Sequence, residues 1–136
     1  MIEAVHSGTQ DPDVDEIEVR RLSARSAEAS DLLWAHGVIL GTPENFGYMS
    51  GAMKDFFDRT FYEVEGKINP LPYALVIGAG NDGTGAVRAI KRIVNGYPFI
   101  EVQEPLISRG AATEDELAKC RELGMAFAAG LSFGVF

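Results

Sequence analysis

The sequence predicts an α/β fold, a doubly wound parallel sheet with helices on both faces. Three observations carry this expectation. "HGVILG" (36–41) and "YALVIG" (73–78) are short, continuous apolar runs ending in glycine, the pattern of central parallel strands covered on both sides. Around them, strand signals alternate with apolar residues at helical spacing, the order that builds a parallel sheet. No internal repeat, low-complexity linker or membrane-length apolar run interrupts the pattern, so the 136 residues read as a single domain, 1–136, with one core.

Taken in order, Met1 to about His6 reads as the last turns of a helix, and Gly8 to Asp15 as the connection that follows it. The competing reading makes "IEAVHSGTQ" a strand and loop with Ser7 and Thr9 as phosphate hydroxyls. It leaves too little chain before Glu16 for a parallel crossover, which takes about a dozen residues or more. "EIEVRRL" (16–22) alternates Ile17 and Val19 with charges, which predicts a strand exposed on one face at a sheet edge. Residues 27–35 make a short helix. In helix 50–61 the stripe Ala52, Met53, Phe56, Phe57 and Thr60 faces the core, as Val87, Ile90 and Val94 do in helix 84–95. A last strand lies within 98–108, interrupted by Pro105. The final helix opens on a capping box, Thr113 with Glu116, and continues through Leu117, Cys120, Gly124, Phe127 and Leu131.

Composition narrows the function. A formal net charge of -8 repels a phosphate backbone and argues against nucleic acid as a partner. The start lacks a basic segment followed by an apolar one, which makes the cytoplasm the expected compartment, and no membrane association is expected. Cys120, the one cysteine, has no partner for a disulfide or a metal and sits on an apolar helical stripe, as an inert core thiol would. His6 and His36 have no carboxylate, Ser or Cys partner at motif spacing, so neither is assigned a catalytic role.

In a doubly wound sheet, ligands bind at the carboxyl ends of the strands. The two loops there are "GTPENFGYMSG" (41–51) and "GAGNDGTG" (78–85). Their glycines let backbone approach a flat ligand, and the helix N-termini that follow favour an electron-rich edge. Gly78, Gly80 and Gly83 also spell the G-x-G-x-x-G dinucleotide fingerprint, with Glu104 further on. A dinucleotide-binding half continues through two more strands, whereas this chain has room for one more strand and one helix, so that reading is set aside.

The first loop is the more specific. "GTPENFGYMSGAMKDFFDR" (41–59) resembles the loop after the third strand of the flavodoxin-like NAD(P)H-dependent FMN and quinone reductases, and "AGNDGTGA" (79–86) resembles the loop after their fourth. The likeness runs from about Glu16 to Leu131. It implies a flavodoxin-like, three-layer α/β/α fold, FMN as cofactor, NAD(P)H as co-substrate, and a quinone, flavin or other small molecule as electron acceptor. Carried over by position, it implies FMN contacts at Thr42, Pro43, Asn45, Phe46, Gly47 and Tyr48, and at Gly80, Asn81, Gly83 and Thr84. No catalytic side chain or metal is implied, since the flavin takes the hydride.

In that family the phosphate is wrapped by a hydroxyl-rich loop after the first strand, a central strand in the order 2-1-3-4-5. The chain as given is expected to lack that strand and loop. A gap in the sheet, or direct pairing of its neighbours, would follow. The exposed gap and the apolar tail "LSFGVF" suit a homo-oligomer as well as a monomer whose tail packs back. Two other functions stay open: an electron carrier of flavodoxin type without substrate chemistry, and a fragment that interacts without binding flavin.

Overall fold

A computed structural model describes all residues Met1–Phe136. The elements in order are α1 (Ile2–Thr9), α2 (Ala29–Trp34), β1 (Val38–Asn45), β2 (Tyr48–Met49), α3 (Gly51–Val64), β3 (Leu71–Ala79), α4 (Thr84–Val94), β4 (Phe99–Glu101), β5 (Leu106–Arg109) and α5 (Glu114–Ser132). The central strand is β3, whose residues Leu71 to Ile77 are all buried. It pairs in parallel with β1 on one side, from Val38↔Tyr73 to Pro43↔Gly78. On its other side it pairs with β4 and then with β5. The break between those two includes Pro105, which has no N–H to give a ladder.

Side chains of β3 alternate between two apolar layers. Leu71, Tyr73, Leu75, Ile77 and Ala79 pack with α2, α3 and α4 through Leu32, Met53, Phe56, Phe57, Ala86, Ile90 and Val94. Ala74 and Val76 face α1 and α5 through Val5, Cys120, Leu123 and Phe127. This is the three-layer α/β/α arrangement, and the predicted stripes are its core. The second layer is closed by glycine: a Cβ on Gly8 would collide with the Arg121 carbonyl, and one on Gly124 with the Val5 carbonyl. Within the first layer, the buried Tyr97 hydroxyl donates to the Phe57 carbonyl at 2.6 Å and lies 2.9 Å from Thr60 Oγ1.

Two expectations are corrected. Residues 16–22 do not form a strand: they enter no ladder, start from a positive φ at Glu16, and are tied to α2 through Arg20, which contacts Asp31 at 3.2 Å and stacks on Trp34. The reason is separation. A cavity of about 280 Å³, lined on one side by Ile17, Val19 and Leu22 and on the other by Val38, Ile39 and Leu40, lies between that segment and β1. The expected sheet gap is thus present, and its neighbours do not pair across it. The second correction is that Gly41–Asn45 is not loop but a continuation of β1, which returns through β2 as a short antiparallel hairpin.

Adding a methyl group where α1 and α5 touch should force the layer apart. Gly124→Ala is expected to lower stability by about 1–3 kcal/mol, the range for overpacking, whereas Gly51→Ala, where a Cβ meets nothing, should be neutral or slightly stabilising. Urea unfolding of the two variants beside the parent checks this.

Candidate functional site at the carboxyl edge of the sheet

β1 and β3 end side by side, Pro43 opposite Gly78, so the segments that leave them meet at one edge of the sheet. The first is the hairpin. Asn45 pairs with Tyr48, and the intervening Phe46 and Gly47 have φ of 53° and 69°. Positive φ at both central residues is the type I′ pattern, whose twist matches that of a hairpin. Gly47 adopts it freely; a bulky aromatic there is a strained exception costing on the order of 1–3 kcal/mol. The Phe46 ring is nevertheless fully exposed, and Tyr48 is partly so.

The base of the hairpin is held by Thr42. Its buried hydroxyl accepts from Ser50 N at 3.0 Å and donates to the Pro43 carbonyl at 2.9 Å, so it is already engaged. Ser50 in turn caps α3, its Oγ accepting from Met53 N. Pro43 and Asn45 are exposed.

The second segment is Gly80–Gly83. Gly80 and Asn81 are exposed, and a Cβ on Gly80 would meet nothing. Gly83, at φ 74°, is the N-cap of α4 and lies against Ile107, leaving no room for a side chain. Asp82 Oδ1 accepts from both the N–H and the hydroxyl of Thr84. The Thr84 N–H, and then its hydroxyl, hold the Asp82 carboxyl below its ordinary 3.8.

A residue that sequence reasoning passed over joins the two segments. Glu44, from β1, accepts from Ala86 N in the first turn of α4 at 3.0 Å. Its only sequence signal is a carboxylate within the loop motif. The first turn of α4 therefore carries two carboxylates, Asp82 and Glu44. This corrects the expectation that the α4 N-terminus favours an electron-rich group: its dipole is already answered by negative charge. It also disposes of the dinucleotide reading, since a pyrophosphate would need that same helix end.

The remaining suspects fall away from this edge. Ser7 and Thr9 lie in α1, and the Thr9 hydroxyl donates to the His6 carbonyl at 2.7 Å. Burial pushes the Cys120 thiol up, as for an inert core cysteine. No group of three or more His, Cys, Asp or Glu is arranged to hold a metal, and no helix is long and apolar enough to cross a membrane.

Comparison with known proteins agrees with this geometry. The model of the NADPH-dependent FMN reductase family matches residues 9–114, most of the chain. The chain belongs to that family. A flavodoxin of Aquifex aeolicus (strain VF5) is 26% identical over 140 residues, spanning 91% of this chain and 75% of that protein. Among solved structures, a flavodoxin from the domain Archaea aligns with a TM-score of 0.76 at 20% identity, over 93% of this chain and 84% of that one. A flavodoxin, WrbA-like protein, from Agrobacterium tumefaciens aligns with a TM-score of 0.72 at 18% identity, over 97% of this chain and 87% of that one.

As a member of the FMN reductase family, the chain is a flavodoxin-fold protein of FMN-linked oxidoreduction and electron transfer. The residues at the sheet edge suit the ring half of FMN: an exposed aromatic tip, open backbone at Gly47 and Gly80, and the exposed amides of Asn45 and Asn81. They do not suit its phosphate, because the helix end they share is occupied by carboxylates.

The Asp82 cap has a pH signature. A carboxyl depressed in the folded state contributes stability above its unfolded value and loses it as pH falls through the folded one. The capping contribution should therefore be complete above pH 3.8 and fade below it. Asp82→Asn, which keeps an acceptor oxygen but no charge, should be less stable than the parent at neutral pH, show a shallower loss of stability in acid, and so converge with the parent there. Chemical denaturation at a series of pH values measures the slope.

Proposed function

We propose that the chain is an NAD(P)H-dependent FMN reductase that passes electrons to a quinone, a free flavin or another small acceptor. In this reading the isoalloxazine ring lies between the hairpin and the Gly80–Thr84 segment. The observation that carries it is the tip of the hairpin: Phe46 is strained and fully exposed, yet the base beneath it is hydrogen-bonded. Strain kept at an exposed aromatic serves no core and suits a flat ligand.

The residues then divide the work. Phe46 and Tyr48 offer flat apolar contact, and Gly47 and Gly80 let backbone amides come close. Asn45 and Asn81 can donate to ring carbonyls and nitrogens. Thr42 and Pro43 fix the hairpin base, while Gly83 and Thr84 fix the turn into α4. Bound FMN supplies hydride acceptance and release of electrons singly or in pairs. The chain supplies position, so no acid or base side chain is required at the edge.

An electron carrier of flavodoxin type is the second reading, favoured by the net charge of -8 and the likeness to the Aquifex flavodoxin. Steady-state oxidation of NADPH or NADH by the flavin-loaded protein separates the two. A reductase turns over with a quinone or flavin acceptor, and a carrier does not.

Recognition on the ring side has a further consequence. Riboflavin should bind within about tenfold of FMN, a difference of about 1.4 kcal/mol, because the two loops offer no anion cradle. Fluorescence titration with both ligands checks it. A preference for FMN by two powers of ten or more would show that a phosphate site lies elsewhere on this protein. Binding of neither would leave a protein that interacts without flavin.

A further inference from the structure

We infer that Glu44 is a positioning residue for the flavin site: its carboxylate clamps the Phe46–Gly47 tip onto the first turn of α4. This rests on the reading of the two segments as the ring site.

The hairpin needs an anchor. Its own ladder is two residue pairs, Glu44↔Met49 and Asn45↔Tyr48, and a two-stranded hairpin is marginal by itself. The bond between Thr42 and Ser50 closes the base, but the base alone leaves the tip free to swing. Glu44 stands two positions before Phe46 and reaches a helix remote in sequence, to accept from Ala86 N at 3.0 Å. Its charge faces the positive end of α4, and the N-cap there, Gly83, has no side chain to do the same.

A second contact sets the distance of the tip. The Gly47 carbonyl lies where a Cβ on Gly85 would be, so the backbone of the tip rests directly on the backbone of the helix. Glu44 draws the hairpin in and Gly85 lets it close. Neither Glu44 nor Phe46 belongs to either apolar core. The clamp therefore orders an exposed, strained aromatic rather than the interior.

The test compares Glu44→Ala, Glu44→Gln and Gly85→Ala with the parent protein, by titration with FMN and with riboflavin and by thermal unfolding. Glu44→Ala should weaken both flavins equally, by about tenfold, or about 1.4 kcal/mol. Glu44→Gln keeps an oxygen that can accept from Ala86 N and should stay within about threefold of the parent. Gly85→Ala lifts the tip without altering any charge and should reproduce the loss seen with Glu44→Ala. All three should unfold cooperatively, and the flavin absorbance band of the two weak variants should shift toward that of free flavin.

The inference is overturned if Glu44→Ala binds flavin as the parent does, or loses FMN alone. It is overturned equally if Glu44→Gln is as weak as the alanine variant, because an oxygen that accepts from Ala86 N would then contribute nothing to holding the tip. Should Glu44→Ala fail to fold, Glu44→Gln and Gly85→Ala decide the matter by the same criteria. A parent protein that binds neither flavin overturns the ring-site reading itself, and the positioning role with it.

Discussion

Strand β3 is the constraint on which the other elements depend. With Leu71 to Ile77 buried on both faces, it belongs at the centre of the sheet, because each face needs its own helical cover. Its odd-numbered residues call for α3 and α4, and its even-numbered ones for α1 and α5. Ala74 lies in the layer that α1 and α5 cover, where the two helices close on each other through glycine contacts. Replacing a side chain such as Leu75 in this strand by alanine would fall in the range of about 2–5 kcal/mol that buried leucines generally cost.

Because β1 is registered on β3 from Val38 to Pro43, the ends of both strands are fixed together. The site inherits that register. The hairpin and the Gly80–Gly83 turn are irregular or strained, but both leave strands that cannot slide without turning core residues toward the opposite layer. A scaffold of this kind can hold Phe46 in a left-handed conformation at the surface. Glu44 carries the same rigidity sideways, from β1 into α4.

Charge distinguishes this edge from a phosphate-binding one of similar sequence. A glycine-rich turn before a helix presents N–H groups and the positive end of a dipole, and anions collect there. Here Asp82 and Glu44 take those donors first. What remains beside those two carboxylates is a surface of aromatic rings, glycine backbone and amides. Such a surface suits a heterocycle better than a phosphate.

Much of this was written in the sequence by itself. Period-two and period-3.6 patterns act over a few residues, so two neighbouring parallel strands within 36–41 and 73–78, the helical stripes, the Thr113–Glu116 capping box and the break at Pro105 were legible there, as were the two loops at one edge; but of "HGVILG" only Leu40 is buried, because β1 borders the cavity instead of a second strand. Tertiary structure decided the rest. "EIEVRRL" has the alternation of a strand but forms none, because a strand exists only with a partner to accept its hydrogen bonds, and its neighbour stands across a cavity. The clamp from Glu44 to Ala86 and the seat of Gly47 on Gly85 join residues some forty positions apart. No local pattern encodes such contacts; they come into being only when β1 and β3 lie side by side.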